Sequence, residues 1–231
     1  MGRCPSWTTT GSATCARVAG DPERSHNLNA MSADEPGSRT SFEAAARSLE
    51  GVRVTGVDYW DIHNFGPEPP RWDYGDWHHA VMGVQLMTDA GPRTVMWTDR
   101  FYPYGIEVFP DPIERHLVVG DGGPERIGPS GLSRWSDLVG APIRRVAISW
   151  DRLEIGPAVK PSTGEVVAPA RSIDIPTAVR LDFDAACVWF VAAQPSFPSL
   201  VDVFIPGDEI MVVFSDDKMR SMGYTDPGFV P

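Results

Sequence analysis

Between Asp58 and His79 the chain concentrates side chains able to do chemistry: Asp58, Tyr59, Trp60, Asp61 and His63, then Trp72, Asp73, Tyr74, Asp76, Trp77, His78 and His79. Three of the five histidines fall in this stretch. A metal site needs imidazole nitrogens and carboxylates about 2 Å from one ion. His63, His78 and His79, with Asp61, Asp73 and Asp76, are therefore candidate ligands for a divalent cation that would activate a bound water. The spacing resists a single site using both adjacent histidines. In an extended segment His78 and His79 point to opposite faces, so one ion can take only one of them. No H-E-x-x-H, H-x-H or paired C-x-x-C is present.

The same residues suit a binding surface. Tryptophan joins a large apolar face to an N–H donor, so Trp60, Trp72 and Trp77, with Tyr59, can stack on a sugar ring or a partner side chain. Other constellations explain less. Ser215-Asp-Asp-Lys218 fits S-x-x-K, but the companion S-D-N and K-T-G motifs are missing and Ser215 reads as a helix cap. Gly128-Pro-Ser130-Gly131 lacks the spacing of a nucleophile elbow, and no G-K-[ST] follows Gly120–Gly123 to make a phosphate cradle. Cys187 lies in the most apolar strand, where a thiol is buried and inert. His116 beside Glu114 reads as a structural histidine, and Asp208, Glu209, Asp216 and Asp217 as solvated strand-end charges.

The 231 residues hold 20 Lys and Arg against 31 Asp and Glu, a formal charge of −11. With a pI near 4.8, such a surface repels nucleic-acid phosphates and anionic membranes, which excludes both as partners. Three cysteines make no disulfide framework and fit a reducing cytoplasm. No apolar run reaches the roughly 18–20 residues of a membrane span. Residues 1–30 are rich in Ser, Thr and Gly without the apolar core of a secretory signal, and Met31 opens a second plausible start. Residues 1–39 are expected to be a disordered tail or an over-extended start, and residues 40–231 one globular domain.

Gly and Pro, 22 of each, favour short elements joined by turns. Thr40 to Glu43 reads as a capping box opening a short helix that Gly51 stops. Val52 to Trp60 predicts a strand with a bulge at Gly56, and residues 61–79 an aromatic loop. Residues 80–98 form a hairpin turned at Asp89–Pro92, and Tyr104–Phe109 a further strand. A short helix is expected around Trp135 and Leu138, then a strand from Ile143 to Trp150, a proline-rich loop over 155–177, and paired strands at 178–192. Val179, Leu181 and Phe183 should face inward, and Cys187–Val191, apolar on both faces, should be central. Val201–Ile205 and Ile210–Phe214 are the last strands, before a last helix capped by Ser215. The fold class is α+β, mainly β: one curved antiparallel or mixed sheet, or a sandwich, with about three short helices.

An acidic folded part, an aromatic-acidic loop and the lack of a catalytic constellation together resemble the acidic, strand-rich bacterial immunity proteins that neutralise toxins. That resemblance implies a non-enzymatic, cytoplasmic domain without cofactor whose partner is a protein with a basic surface. It places an exposed binding loop at Trp72, Asp73, Tyr74, Asp76 and Trp77, supported by Trp60 and Asp61. The alternative is a metal-dependent hydrolase or small-ligand domain using His63, His78 or His79 with Asp73 or Asp76.

Overall fold

The computed structural model describes residues 38–61, 71–101, 104–117, 124–129, 134–197, 200 and 202–224. Among them run two helices, α1 (Arg39–Arg47) and α2 (Asp216–Ser221), and fourteen strands. The first seven strands are β1 (Val54–Asp61), β2 (Trp77–Val81), β3 (Gly83–Thr88), β4 (Arg93–Thr98), β5 (Gly105–Phe109), β6 (Glu125–Gly128) and β7 (Arg145–Ile155). The others are β8 (Ala158–Val159), β9 (Val166–Ala168), β10 (Arg171–Asp182), β11 (Cys187–Ala192), β12 (Gln194–Pro195), β13 (Val203–Phe204) and β14 (Ile210–Val213).

Ten strands form one sheet in the order β5-β4-β3-β1-β2-β14-β11-β10-β7, with β6 also on β1. Its pairs are antiparallel except for one parallel pair, Trp60 with Val81. The chain is thus mainly β, as its alternation predicts, and the sheet is curved and mixed. The curl begins where β2 meets β3 across Met82 alone. Val81 sits there at φ +48, a left-handed conformation that β-branched residues avoid. That bend lets one stretch of chain pair with β14 on one side of it and with β1 and β4 on the other.

Curling carries β5 toward β10. A Cβ on Gly105 would stand 2.8 Å from the Phe101 ring and 3.2 Å from the Pro176 carbonyl oxygen, so only glycine fits. Pro176 itself occupies a register shift in β10, where its missing N–H costs no ladder bond. Helix α1 lies across this seam, with Phe42 edge-on to Phe101 at 5.1 Å and to Trp150 at 6.3 Å. The inner face buries Tyr59, Leu86, Val95, Ile106, Leu181 and Phe190. On the outer face Trp77, Trp189, Met211 and Val213 pack beneath Met219 of α2.

Several expectations hold in detail. The register of β1 shifts between Val54 and Gly56, β3 and β4 form the hairpin, and Val179, Leu181 and Phe183 are buried. β11 lies inside the sheet, and the Ser215 side chain accepts from the Lys218 N–H at the start of α2. Others need correction. Ser38, not Thr40, caps α1, and Glu43 instead pairs with Arg39 and Arg47 at 3.0 and 3.4 Å. Residues 134–140 make turns rather than a third helix. The span 155–177 is not a loop. It holds β8, β9 and the first half of β10, with its prolines at strand ends and a bulge.

Candidate functional site

Residues 72–79 fold back on themselves as a tight turn rather than a loop, with Asp73 bridged to His78 and Gly75 at φ +92. Its backbone is tied at nearly every step. The His79 N–H donates to the Trp72 carbonyl at 2.7 Å, the Tyr74 N–H to that of Trp77 at 3.0 Å, and the Phe214 N–H to that of Asp76 at 3.0 Å. The Gly75 N–H donates to the Asp73 carboxylate at 2.8 Å, while Arg134 and Arg71 donate to the carbonyls of Gly75 and Asp73 at 3.1 and 2.9 Å. Asp73, with its side chain 52% exposed, projects outward from this frame. Tyr74 and Asp76 are half-buried.

His78 anchors the turn from below. Trp135 Nε1–H donates to the Tyr59 hydroxyl at 2.6 Å, and that hydroxyl stands 2.7 Å from His78 Nδ1. Because an indole only donates, the Tyr59 hydrogen is left to point at His78, which makes Nδ1 the acceptor and puts the imidazole hydrogen on Nε2. Nε2 lies 3.7 Å from Asp73 Oδ1, beyond hydrogen-bond reach, and carries no hydrogen bond. Burial lowers the His78 pKa to about 4 against the opposing pull of Asp73, so the imidazole is neutral at pH 7. Burial likewise pushes the Tyr59 phenol up. Trp72 and Phe214 meet the imidazole edge-on at 5.0 and 4.7 Å. Gly128 receives the Trp72 ring, where a Cβ would stand 2.8 Å from the indole.

The other candidates go elsewhere. His79 takes the opposite face, as adjacency requires, and its Nε2 pairs with Glu209 at 2.9 Å. Glu209 is thus a partnered, largely buried acid rather than a solvated one. Trp77 is 4% exposed and stacks on Tyr74 at 4.3 Å, with Arg71 over Tyr74 at 4.6 Å and Lys218 over Trp77 at 5.4 Å. The expected exposed loop therefore loses Trp77 to the outer core, because β2 begins at that residue. Trp60 is buried beneath Arg126, which also pairs with Asp58 at 3.3 Å, and Asp61 is buried at the end of β1. His63 lies outside the described residues. Of the proposed metal ligands that are described, only His78 and Asp73 come together. Among the described residues no group of three or more His, Cys, Asp or Glu is placed to hold an ion.

A second titratable group went unremarked in the sequence. Glu107 on β5 is buried, pairs with Arg100 at 3.1 Å, and leaves Oε2 without a hydrogen bond. Burial raises its pKa to about 7 although Arg100 opposes the shift. Its signal is the lone acid in the strand Gly-Ile-Glu-Val-Phe. On the same stretch His116 packs tilted against Phe109 at 4.1 Å with Nε2 buried and unpartnered, and burial lowers its pKa. Cys187 is half-buried, with its pKa raised by burial.

No protein-family model matches this chain, and neither a curated protein nor a solved structure matches it.

Proposed function

We propose that this chain is a non-enzymatic, cytoplasmic protein-binding domain of the immunity type, and that it presents the 72–76 turn to a partner with a basic surface. The observation that supports this is the turn's fixed backbone. An acidic, aromatic segment whose carbonyls and N–H groups are tied to the core loses little further freedom on binding, and pre-organisation of that kind favours affinity. Asp73 and Asp76 supply charge for steering, and Tyr74, with Trp77 stacked on its ring and Arg71 over it, is held rigid to offer its phenolic edge. The net charge of −11 extends the attraction beyond the contact itself.

The test is differential capture at low salt with the wild-type chain and with D73N/D76N/Y74A, from the same bacterial extract. The expected result is a basic protein retained by the wild type, lost from the triple variant and released by salt, with both baits melting alike. Identical sets of retained proteins would refute the reading.

The approach of His78 to Asp73 favours the metal-dependent alternative. That reading predicts a Zn²⁺- or Mn²⁺-dependent rise in melting temperature that disappears in H78Q. A melting curve indifferent to both ions and to chelator removes it.

A further inference from the structure

Beyond Trp150, β7 and β10 leave the curved sheet as a two-stranded arm, extended by the β8–β9 hairpin. Every residue from 156 to 171 is exposed. Val159, Val166 and Val167 are 51%, 59% and 62% exposed, so the arm shows water apolar side chains, Val159 and Val166 on one face and Val167 on the other. β7 is the last strand of the sheet, and among the described residues it pairs with β10 alone. Helix α1 packs over the earlier part of β7 through the contact of Phe42 with Trp150, and among the described residues no strand pairs with the other edge of Asp151–Ile155. An ordered, exposed edge flanked by apolar side chains is a template for strand addition.

We infer that this edge joins two copies of the chain, β7 to β7, antiparallel about a two-fold axis at Leu153. The sequence of the edge is self-complementary in that register and in no neighbouring one. A dyad at Leu153 sets Leu153 against the partner's Leu153 and places Arg152 opposite the partner's Glu154, twice, so that the exposed pair Arg152 and Glu154, 3.3 Å apart within each copy, with Asp174 4.0 Å from Arg152, would merge into one alternating network across the dyad. A dyad at Asp151 or at Arg152 would instead oppose like charges. Charge agrees with pairing of two copies here. The segment 156–172 carries Lys160 and Arg171 against Glu165 alone, on a chain whose formal charge is −11. Pro157, Pro161 and Pro169 remove ladder donors farther out, so pairing stops at Ile155 and closes as a pair rather than growing into a fibre. This surface is separate from the 72–76 turn, and it stands or falls independently of the recognition reading.

The measurement is solution mass by light scattering and sedimentation of the full chain, alongside R152E, E154R and R152E/E154R. The expected result is a wild-type dimer, a dissociation constant raised about tenfold or more in each single variant, and return of the dimer in the charge-swapped double variant. Thermal melting of each variant checks folding. For a variant that melts early, truncation of Val159, Val166 and Val167 to Ala, which touches no ion pair, serves as the second probe and should also shift the mass toward monomer. A wild type that stays monomeric to about 100 μM overturns the inference. So does a dimer that all these variants leave intact.

Discussion

Two surface segments of this molecule reach order by opposite routes. The turn at 72–79 is short and reaches solvent through Asp73, yet its backbone is tied to Phe214 and Arg134, far away in sequence, and it rests on the buried imidazole of His78. The arm beyond Trp150 is long and regular, and its tip at 156–171 buries nothing. The turn is held by the core and the arm by its own ladder. A segment fixed by the core is already shaped for a ligand, whereas a ladder carrying exposed valines is complete only when another surface covers it.

The largest expected effect breaks the turn's anchor. Tyr59→Phe removes the hydroxyl that Trp135 Nε1–H donates to and that donates to His78 Nδ1, and should cost on the order of 3 kcal/mol in denaturant unfolding. Val167→Ala on the arm should stay within about 0.5 kcal/mol. Equal losses at the two positions would erase the contrast.

Next comes pH. His78 has its folded pKa lowered from 6.5 to about 4. Its contribution to stability is therefore present above pH 6.5 and is lost as pH falls through 4. Glu107 has its folded pKa raised from 4.5 to about 7. Its contribution is present below pH 4.5 and is lost as pH rises through 7. Between about pH 4.5 and 6.5 the two slopes oppose each other. Glu107→Gln should therefore steepen the loss of stability on acidification and raise stability at pH 8, by up to roughly 3 kcal/mol. His78→Gln should show the opposite slope. Parallel stability–pH curves for wild type and both variants would contradict these assignments.

A smaller effect follows from packing. Gly128→Ala drives a methyl into the Trp72 indole, which should cost about 1–3 kcal/mol and loosen the turn without altering any residue in it. Near-ultraviolet circular dichroism and capture of the partner should change together. The smallest expected effect is on the arm. Replacing residues 157–169 by a two-residue turn should leave monomer stability within about 0.5 kcal/mol, because nothing there is buried. A large drop would show that the arm packs on its own sheet.

Much of this architecture was legible in the sequence because alternation reports burial directly. Val179, Leu181 and Phe183 face the core as their spacing requires, and the apolar run Cys187–Val191 lies inside the sheet. What escaped depends on distant chain. Trp77 looks like a loop residue until β14 pairs with it, and Glu209 looks solvated until His79 meets it from 130 positions away. The arm was misjudged because prolines at 157, 161, 169 and 176 mimic a loop, although each sits where a two-stranded ladder tolerates a missing donor. Within the candidate site, adjacency correctly divided His78 from His79. Local sequence held no sign that Tyr59 and Trp135 complete the anchor, since that contact spans 76 positions.

The most direct measurement is amide hydrogen exchange read residue by residue on the full chain. The N–H groups of Tyr74, Gly75 and His79 each donate within the turn. If the core holds the turn, they exchange only through global unfolding, with protection matching the buried strands β11 and β14. The arm tip around Thr163 and Gly164 should exchange through local opening, many times faster. Turn amides that exchange as fast as the arm tip would contradict the account, because a turn that opens on its own is not pre-organised for a partner.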